Sequence, residues 1–262
     1  MSWQYLQSIR QTAPLVLNVT NYVVMNNTAN ALLAVGASPV MAHAIEEIED
    51  MAGLASALVI NIGTLSSPWI ESMIKAGKVA RQRRIPVILD PVGCGATAFR
   101  TTTAKRLIDE VGPAIIRGNA SEIRSLVDQG GRTKGVDSLQ TPAEIIDDAV
   151  ALAKSVGCVV SVSGPEDLIV DGARMAHVAN GHPMMTRVTG MGCTASAITG
   201  AFSAVTPSAF EAGVAAMTIM GIAGEIAAEK SPGPGSLQVN FLDALYSLKE
   251  DDVLARSRVR TD

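Results

Sequence analysis

The chain has 262 residues, of which 48% are hydrophobic, 18% charged and only 3% aromatic. That length accommodates one large α/β domain or two small ones, and the scarcity of aromatic rings leaves the core to Ala, Val, Ile, Leu and Met. A net charge of −4 with no long Lys/Arg run argues against nucleic acid as a partner. Cys94, Cys158 and Cys193 are widely spaced and odd in number, and His43, His177 and His182 stand at no metal-ligand spacing from them, so neither a disulfide framework nor a zinc site is expected. Met1–Tyr5 does not open a signal peptide, and the apolar runs stop short of a membrane span, which implies a cytoplasmic setting. A charged fraction below the usual quarter leaves little polar surface for a monomer and favours a homo-oligomer.

In chain order, residues 1–12 read as an amphipathic helix ended by Pro14, and Leu15–Leu17 as a strand that runs into the polar turn Asn18–Asn21. Helical spacing covers Tyr22–Val35 and stops at Gly36. A short strand at Ser38–Met41 and a helix over Glu46–Ser56 follow, then Ala57–Asn61, continuously apolar like a strand buried on both faces. The next helix starts near Pro68. The unit repeats: strand Pro86–Leu89 ending in Asp90-Pro91, a Gly-rich loop, helix Thr102–Glu110, strand Ala114–Ile116 ending in Arg117-Gly118-Asn119, and a helix from Ala120. After a helix over Pro142–Ser155 come strand Cys158–Ser161 and a hairpin, Leu168–Val170 with Met175–Val178 around Asp171-Gly172. The last third reads as helices Cys193–Ala204, Ala209–Glu229 and Phe241–Leu248, with Ser231–Ser236 as a loop and Arg256–Arg260 as a frayed basic tail. Strands alternating with helices imply an α/β fold, a mostly parallel sheet flanked by helices on both faces, in a single domain over 1–262.

Ligands of parallel sheets bind beyond the carboxyl ends of the strands. There this chain places Asn18 and Asn21, Asn61, Asp90, Arg117 with Asn119, and Ser163, with Glu122 one turn into the following helix. Asp90 and Glu122 together suit Mg²⁺ held through water, and Arg117 suits a phosphate. Each has a structural alternative: Asp90 capping the turn before Pro91, Arg117 paired with Glu122, Asn119 capping the next helix. Gly190-Met191-Gly192-Cys193 adds a glycine turn feeding a helix, where unpaired N–H groups and the helix dipole attract an anion. A thiol at such a helix start is expected to lose its proton more easily than in free solution. Met184 and Met185 read as core or interface filler.

Asn18-Val19-Thr20-Asn21, Gly36-Ala37-Ser38-Pro39-Val40-Met41, Asn61-Ile62-Gly63-Thr64, Asp90-Pro91-Val92-Gly93, Arg117-Gly118-Asn119-Ala120-Ser121-Glu122 and Gly190–Cys193 occur in this order. That succession resembles hydroxyethylthiazole kinase, the thiamin-salvage family of the ribokinase-like superfamily, from about residue 15 to the Phe-Leu-Asp-Ala-Leu segment near 245. The resemblance implies an ATP-dependent kinase acting on the primary hydroxyl of 4-methyl-5-(2-hydroxyethyl)thiazole, organised as a homotrimer with active sites at subunit interfaces. By that resemblance Met41 and Gly190 contact the thiazole with Asn21 nearby. Arg117, Ser163, Asn119 and Gly192 face ATP, and Asp90 and Glu122 organise Mg²⁺. Ser163 replaces the family's Thr and keeps the hydroxyl. Met191 stands in place of a smaller residue, and its side chain needs a place to go. Cys193 falls where most of the superfamily carries an Asp that serves as the catalytic base.

Rival readings keep parts of this picture. Another small-alcohol kinase, or a nucleotide-dependent dehydratase, would use the same fold, but the dehydratases carry Asp at the Cys193 position. A Cys-dependent hydrolase needs a His oriented toward Cys193, and a nucleotide sensor would bind without turnover.

Overall fold

The computed structural model describes residues 1–127 and 142–262. Among the described residues nine strands form one sheet, in the order β2-β1-β3-β4-β5-β6-β7-β8-β9. β1 (Leu15–Val19), β2 (Ser38–Met41), β3 (Ala57–Asn61), β4 (Val87–Asp90), β5 (Ile115–Asn119) and β6 (Val159–Ser163) run parallel. β7 (Asp167–Val170), β8 (Met175–Val178) and β9 (Val259–Thr261) continue the sheet antiparallel. β2 and β3 lie on opposite sides of β1, so the strand order switches direction there, and a crevice opens at the carboxyl ends.

The parallel strands are apolar on both faces because helices cover both. α1 (Ser2–Thr12), α2 (Met25–Val35), α8 (Met191–Val205), α9 (Ala209–Glu229), α10 (Pro234–Ser247) and α11 (Glu250–Arg256) pack on one face, where Val16, Val59, Ile88 and Ile115 meet Ile198, Phe202 and Ile219. α3 (Ile48–Leu54), α4 (Ser67–Arg83), α5 (Ala98–Val111), α6 (Ala120–Val127) and α7 (Pro142–Val156) pack on the other, where Leu17, Leu58 and Ile116 meet Met73, Leu107 and Ile123. Strand residues of opposite parity therefore serve different cores. By this parity Asn61, Asp90, Arg117 and Ser163 all belong to the face that carries α8 and α9.

Several boundaries differ from the sequence reading, for local reasons. α2 begins at Met25 rather than Tyr22, because Asn21–Val24 form a turn closed by the Val24 N–H donating to the Asn21 carbonyl. α5 begins at Ala98, four residues early, with the Thr97 hydroxyl accepting from the Arg100 N–H as its cap. Ser231–Ser236 is only partly a loop: Pro234 opens α10, a first-turn position where the missing N–H costs nothing. The basic segment near the C-terminus is ordered. Arg256 pairs with Glu229, Arg258 pairs with Glu225, and β9 adds to β8. α9 has the length and apolarity to cross a membrane, yet most of it is buried in the protein core.

α8 lies close on the sheet at Gly200, where no side chain keeps it away. A Cβ added at Gly200 would come within 2.6 Å of Val59 Cγ2 and 3.2 Å of Val16 Cγ1. Gly200→Ala is therefore expected to lower stability by about 1–3 kcal/mol through overpacking, outweighing a helix-propensity gain of about 1 kcal/mol. A lower urea midpoint at unchanged slope is the expected result; a midpoint at or above that of the parent would show that α8 has room to spare.

Candidate active site

Asp90, the last residue of β4, is buried with its carboxylate beneath α8. Its Oδ2 accepts from Ser196 Oγ at 2.7 Å and from Asn61 Nδ2 at 2.8 Å. Asn61 Oδ1 in turn accepts from Asn21 Nδ2 at 2.8 Å and from the Gly63 N–H at 2.9 Å. Asn21 Nδ2 also points at Cys193 Sγ, 3.5 Å away. One continuous network thus joins the ends of β1, β3 and β4 to the first turns of α8. Burial pushes the Asp90 carboxyl up to about 6, against the Arg117 charge and the two side-chain donors that pull it down.

Gly190 precedes α8 in the left-handed conformation, φ 80°, and a Cβ there would stand 2.6 Å from Val24 Cγ1. This turn presents Met191, Gly192 and Cys193 as the first turn of the helix. The Met191 side chain goes into the core and toward the neighbouring cavity. Cys193 sits where the sequence placed it, but its ionisation is opposite to that expected. Burial and the neighbouring Asp90 charge push the thiol up to about 11, and the hydrogen bonds of Asn61 and Asn21 do not offset them. Cys193 is a neutral thiol at pH 7. No histidine among the described residues partners it: His177 meets Glu166 and Asp262, His182 accepts from the Met184 N–H, and His43 stacks on Trp69. The Cys-dependent hydrolase has no base here.

Arg117 is buried on β5; its Nη1 donates to the Gly192 carbonyl at 3.0 Å, while its Nε has no partner among the described residues. It is not paired with Glu122. That carboxylate is taken up by backbone, accepting from the Gly93 N–H and the Asn119 N–H at 2.8 Å each. Asn119 Oδ1 accepts from the Glu122 N–H at 3.0 Å and from Ser121 Oγ at 2.7 Å, so its side chain caps α6. Ser163 Oγ donates to the Gly118 carbonyl at 3.3 Å. A cavity of about 560 Å³ opens beside Arg117, Gly192 and Ser163, with Met185, Met217 and Met220 on its apolar side. Met185, read as filler, lines it.

Met41 is not in this network. It ends the edge strand β2, in register with Asn18, half-buried and outward of β1 and β3. Gly190, Gly192, Asn21, Cys193, Asp90 and Arg117 come together, with Glu122 and Asn119 just beyond. Two contributors went unread in the sequence. Ser196 looked like one of several small helix residues. Arg100 donates to the carbonyls of Ile62, Gly63 and Val92, pinning the loops after β3 and β4. Nothing in the pattern around Arg100 announces contacts 37 and 38 residues away.

The family model for hydroxyethylthiazole kinases matches residues 6–251. The chain belongs to the hydroxyethylthiazole kinase family. It is 56% identical over 253 residues to the hydroxyethylthiazole kinase of Oleidesulfovibrio alaskensis, covering 97% of this chain and 95% of that one. The solved hydroxyethylthiazole kinase protein of Pyrococcus horikoshii OT3 superposes with a TM-score of 0.92 at 43% identity, covering 100% and 98%. The pyridoxal kinase of Staphylococcus aureus in complex with AMP-PCP and pyridoxal shares the fold, with a TM-score of 0.66 at 15% identity, covering 95% and 98%. The ribokinase-like architecture expected from the sequence is the one observed.

Burial of Asp90 makes a stability prediction for this kinase-family site. A carboxyl whose folded value, about 6, lies above its ordinary 3.8 contributes stability that is whole below 3.8 and is lost as pH rises through about 6. The difference corresponds to on the order of 3 kcal/mol. Asp90→Asn keeps an oxygen for Ser196 and removes this loss, so it should gain stability relative to the parent between pH 4 and pH 7.5 in urea titrations. Parallel pH responses of the two proteins would refute the buried-charge account.

Proposed function

We propose that the protein transfers the γ-phosphoryl group of ATP to the primary hydroxyl of 4-methyl-5-(2-hydroxyethyl)thiazole, giving the thiazole phosphate and ADP in thiamin salvage. The observation that carries this reading is the joining of the Asp90–Asn61–Asn21 network to the start of α8, with Arg117 opening onto a nucleotide-sized cavity alongside. The reaction asks the protein mainly for positioning and charge stabilisation. Arg117, anchored by one nitrogen and unpaired at Nε among the described residues, and the N–H groups at the start of α8 face the phosphates and stabilise charge as it develops. Ser163 and Gly192 line the same phosphate end; Asn119 acts through α6, which carries Glu122. Asn21 and Gly190 flank the acceptor alcohol, and Cys193 faces its hydroxyl. The alcohol oxygen bonds to the γ-phosphorus as the bond from that phosphorus to the ADP oxygen breaks. The neutral Cys193 thiol does not take the proton in advance but orients the hydroxyl by a hydrogen bond, and the proton passes late to an oxygen of the transferred phosphoryl group.

The donor chemistry fits Mg²⁺ bound through water. Asp90 has one oxygen outside its two hydrogen bonds, Glu122 is held by two backbone amides, and no cluster of three or more protein ligands exists among the described residues. The ion would neutralise phosphate charge there.

The outer edge supports a homotrimer with shared sites. β2 has no outer partner among the described residues, Met41 ends it, and Tyr22 and Val23, next to Asn21, are 65% and 64% exposed. Met41 of one subunit then reaches the thiazole bound by its neighbour. The whole chain serves as one domain, acting in the cytoplasm.

ADP release from Mg-ATP should depend on added thiazole alcohol. Cys193→Asp should retain or raise the rate, because a carboxylate accepts the proton more readily, whereas Cys193→Ala should lose roughly tenfold or more. Thiazole-independent release, or none, would refute the substrate; an alanine variant as fast as the parent would remove Cys193 from the reaction. Dilution to monomers should abolish turnover, and an active monomer would refute the shared site.

A further inference from the structure

Asp167, the first residue of β7, is an acidic residue in the cavity beside Arg117, and the chemistry above gives it no role. It lies one step beyond the Val162–Leu168 pair, and so beside Ser163, and is in register with Val178 on β8. Strand order therefore places it between the phosphate-facing residues of β5 and β6 and the segment after β8 that carries Met185. A nucleotide with its phosphates at Arg117 and its base against Met185, Met217 and Met220 puts its sugar at this point.

Asn180 and Ser163, and His182 at Nδ1, are already engaged. Asn180 spends its amide on Glu225 Oε1 and the Arg256 carbonyl, and its Oδ1 on the Arg258 N–H. His182 Nδ1 accepts from the Met184 N–H, and the Ser163 hydroxyl donates to Gly118. Asp167 Oδ1 accepts from the Gly164 N–H at 3.1 Å, and its Oδ2 has no protein partner among the described residues. It is the only carboxylate among the described lining residues. Burial pushes its carboxyl up, while the Arg117 charge pulls it down and keeps a negative group tolerable near the phosphates. A carboxylate oxygen left free on a cavity-lining residue can accept from a ligand hydroxyl, and a ribose supplies two neighbouring ones.

We infer that Asp167 is the ribose-recognising residue of this site, accepting a hydrogen bond from a sugar hydroxyl of the nucleotide through its free oxygen. The inference rests on the nucleotide reading above and selects ribonucleotides over deoxyribonucleotides. A carboxylate deprived of its donor in a half-buried site loses more than a neutral acceptor does.

The test is calorimetric binding of ADP, 2′-deoxyADP and 3′-deoxyADP to the full-length parent, Asp167→Asn and Asp167→Ala. The parent should bind ADP about tenfold or more tightly than at least one deoxy analogue, a difference of ~1.4 kcal/mol. Asp167→Asn, which keeps the Gly164 hydrogen bond, should narrow that ratio, and Asp167→Ala should bring it to about one to threefold. A ratio unchanged in both variants, with affinity for all three nucleotides lowered alike, would mean that Asp167 only shapes the Gly164 turn and Arg117, and would overturn the assignment. So would a parent that binds ADP without regard to the sugar, which leaves the kinase reading intact. A parent that binds no adenine nucleotide overturns both.

Discussion

The site depends on a carboxylate kept out of water. Asp90 is buried at the end of a strand that has α8 above it, and a buried charge without partners costs several kcal/mol. Its two donors come from different elements, Ser196 from the second turn of α8 and Asn61 from the end of β3. The helix and the strand must therefore sit at hydrogen-bond distance from one point, which fixes how closely α8 lies on the sheet. Gly200 of that helix is what permits the approach. The Asn21–Asn61 hydrogen bond extends the constraint to the chain leaving β1, so a single desolvated carboxylate orients the loops of three strands.

The two halves of the sheet divide the labour. Parallel strands end together at the crevice and bring Asn21, Asn61, Asp90 and Arg117 into line without long loops. Beyond β6 the sheet turns antiparallel, and the hairpin of β7 and β8 carries the chain out to the short 3-10 segment Pro183–Arg187, whose Met185 lines the cavity. The apolar wall opposite belongs to α9, the long buried helix. A polar end next to the parallel strands and an apolar end next to the antiparallel ones match a nucleotide laid along the sheet edge.

Much of this arrangement was legible because local signals and burial agree along most of the chain. Ala57–Asn61 and Ser38–Met41 coincide with β3 and β2, the first because it is a continuously apolar run bounded by turn residues. Gly36 stops α2 in the left-handed conformation, and Asp171-Gly172 joins β7 to β8. The strand-end rule then picked out Asp90 and Arg117. What escaped notice depends on partners remote in sequence. Arg256 and Arg258 look like a solvated tail until Glu229 and Glu225 are brought beside them by the fold. Ser196 resembles its small neighbours on α8 until Asp90 is placed beneath it. The side chains of Asn119 and Glu122 answer to local capping and backbone amides as well as to any ligand, which a motif alone does not reveal.

Cys193 shows how magnitudes decide between two correct principles. A helix N-terminus stabilises a nearby negative charge by about 0.3–1 kcal/mol when exposed and up to about 2 in partly buried sites. Desolvation acts in the opposite direction, and here it is reinforced by the charge of Asp90, taking the thiol from 9.0 to about 11, an effect on the order of 3 kcal/mol. The dipole loses. The consequence is chemical: a thiolate would place a second negative charge next to Asp90, at the point where the proposed reaction brings phosphate charge. The neutral thiol avoids that repulsion and leaves the helix N–H groups free for an anion. It does so by giving up a ready proton acceptor, which suits a transfer in which the hydroxyl proton departs only as the new bond forms.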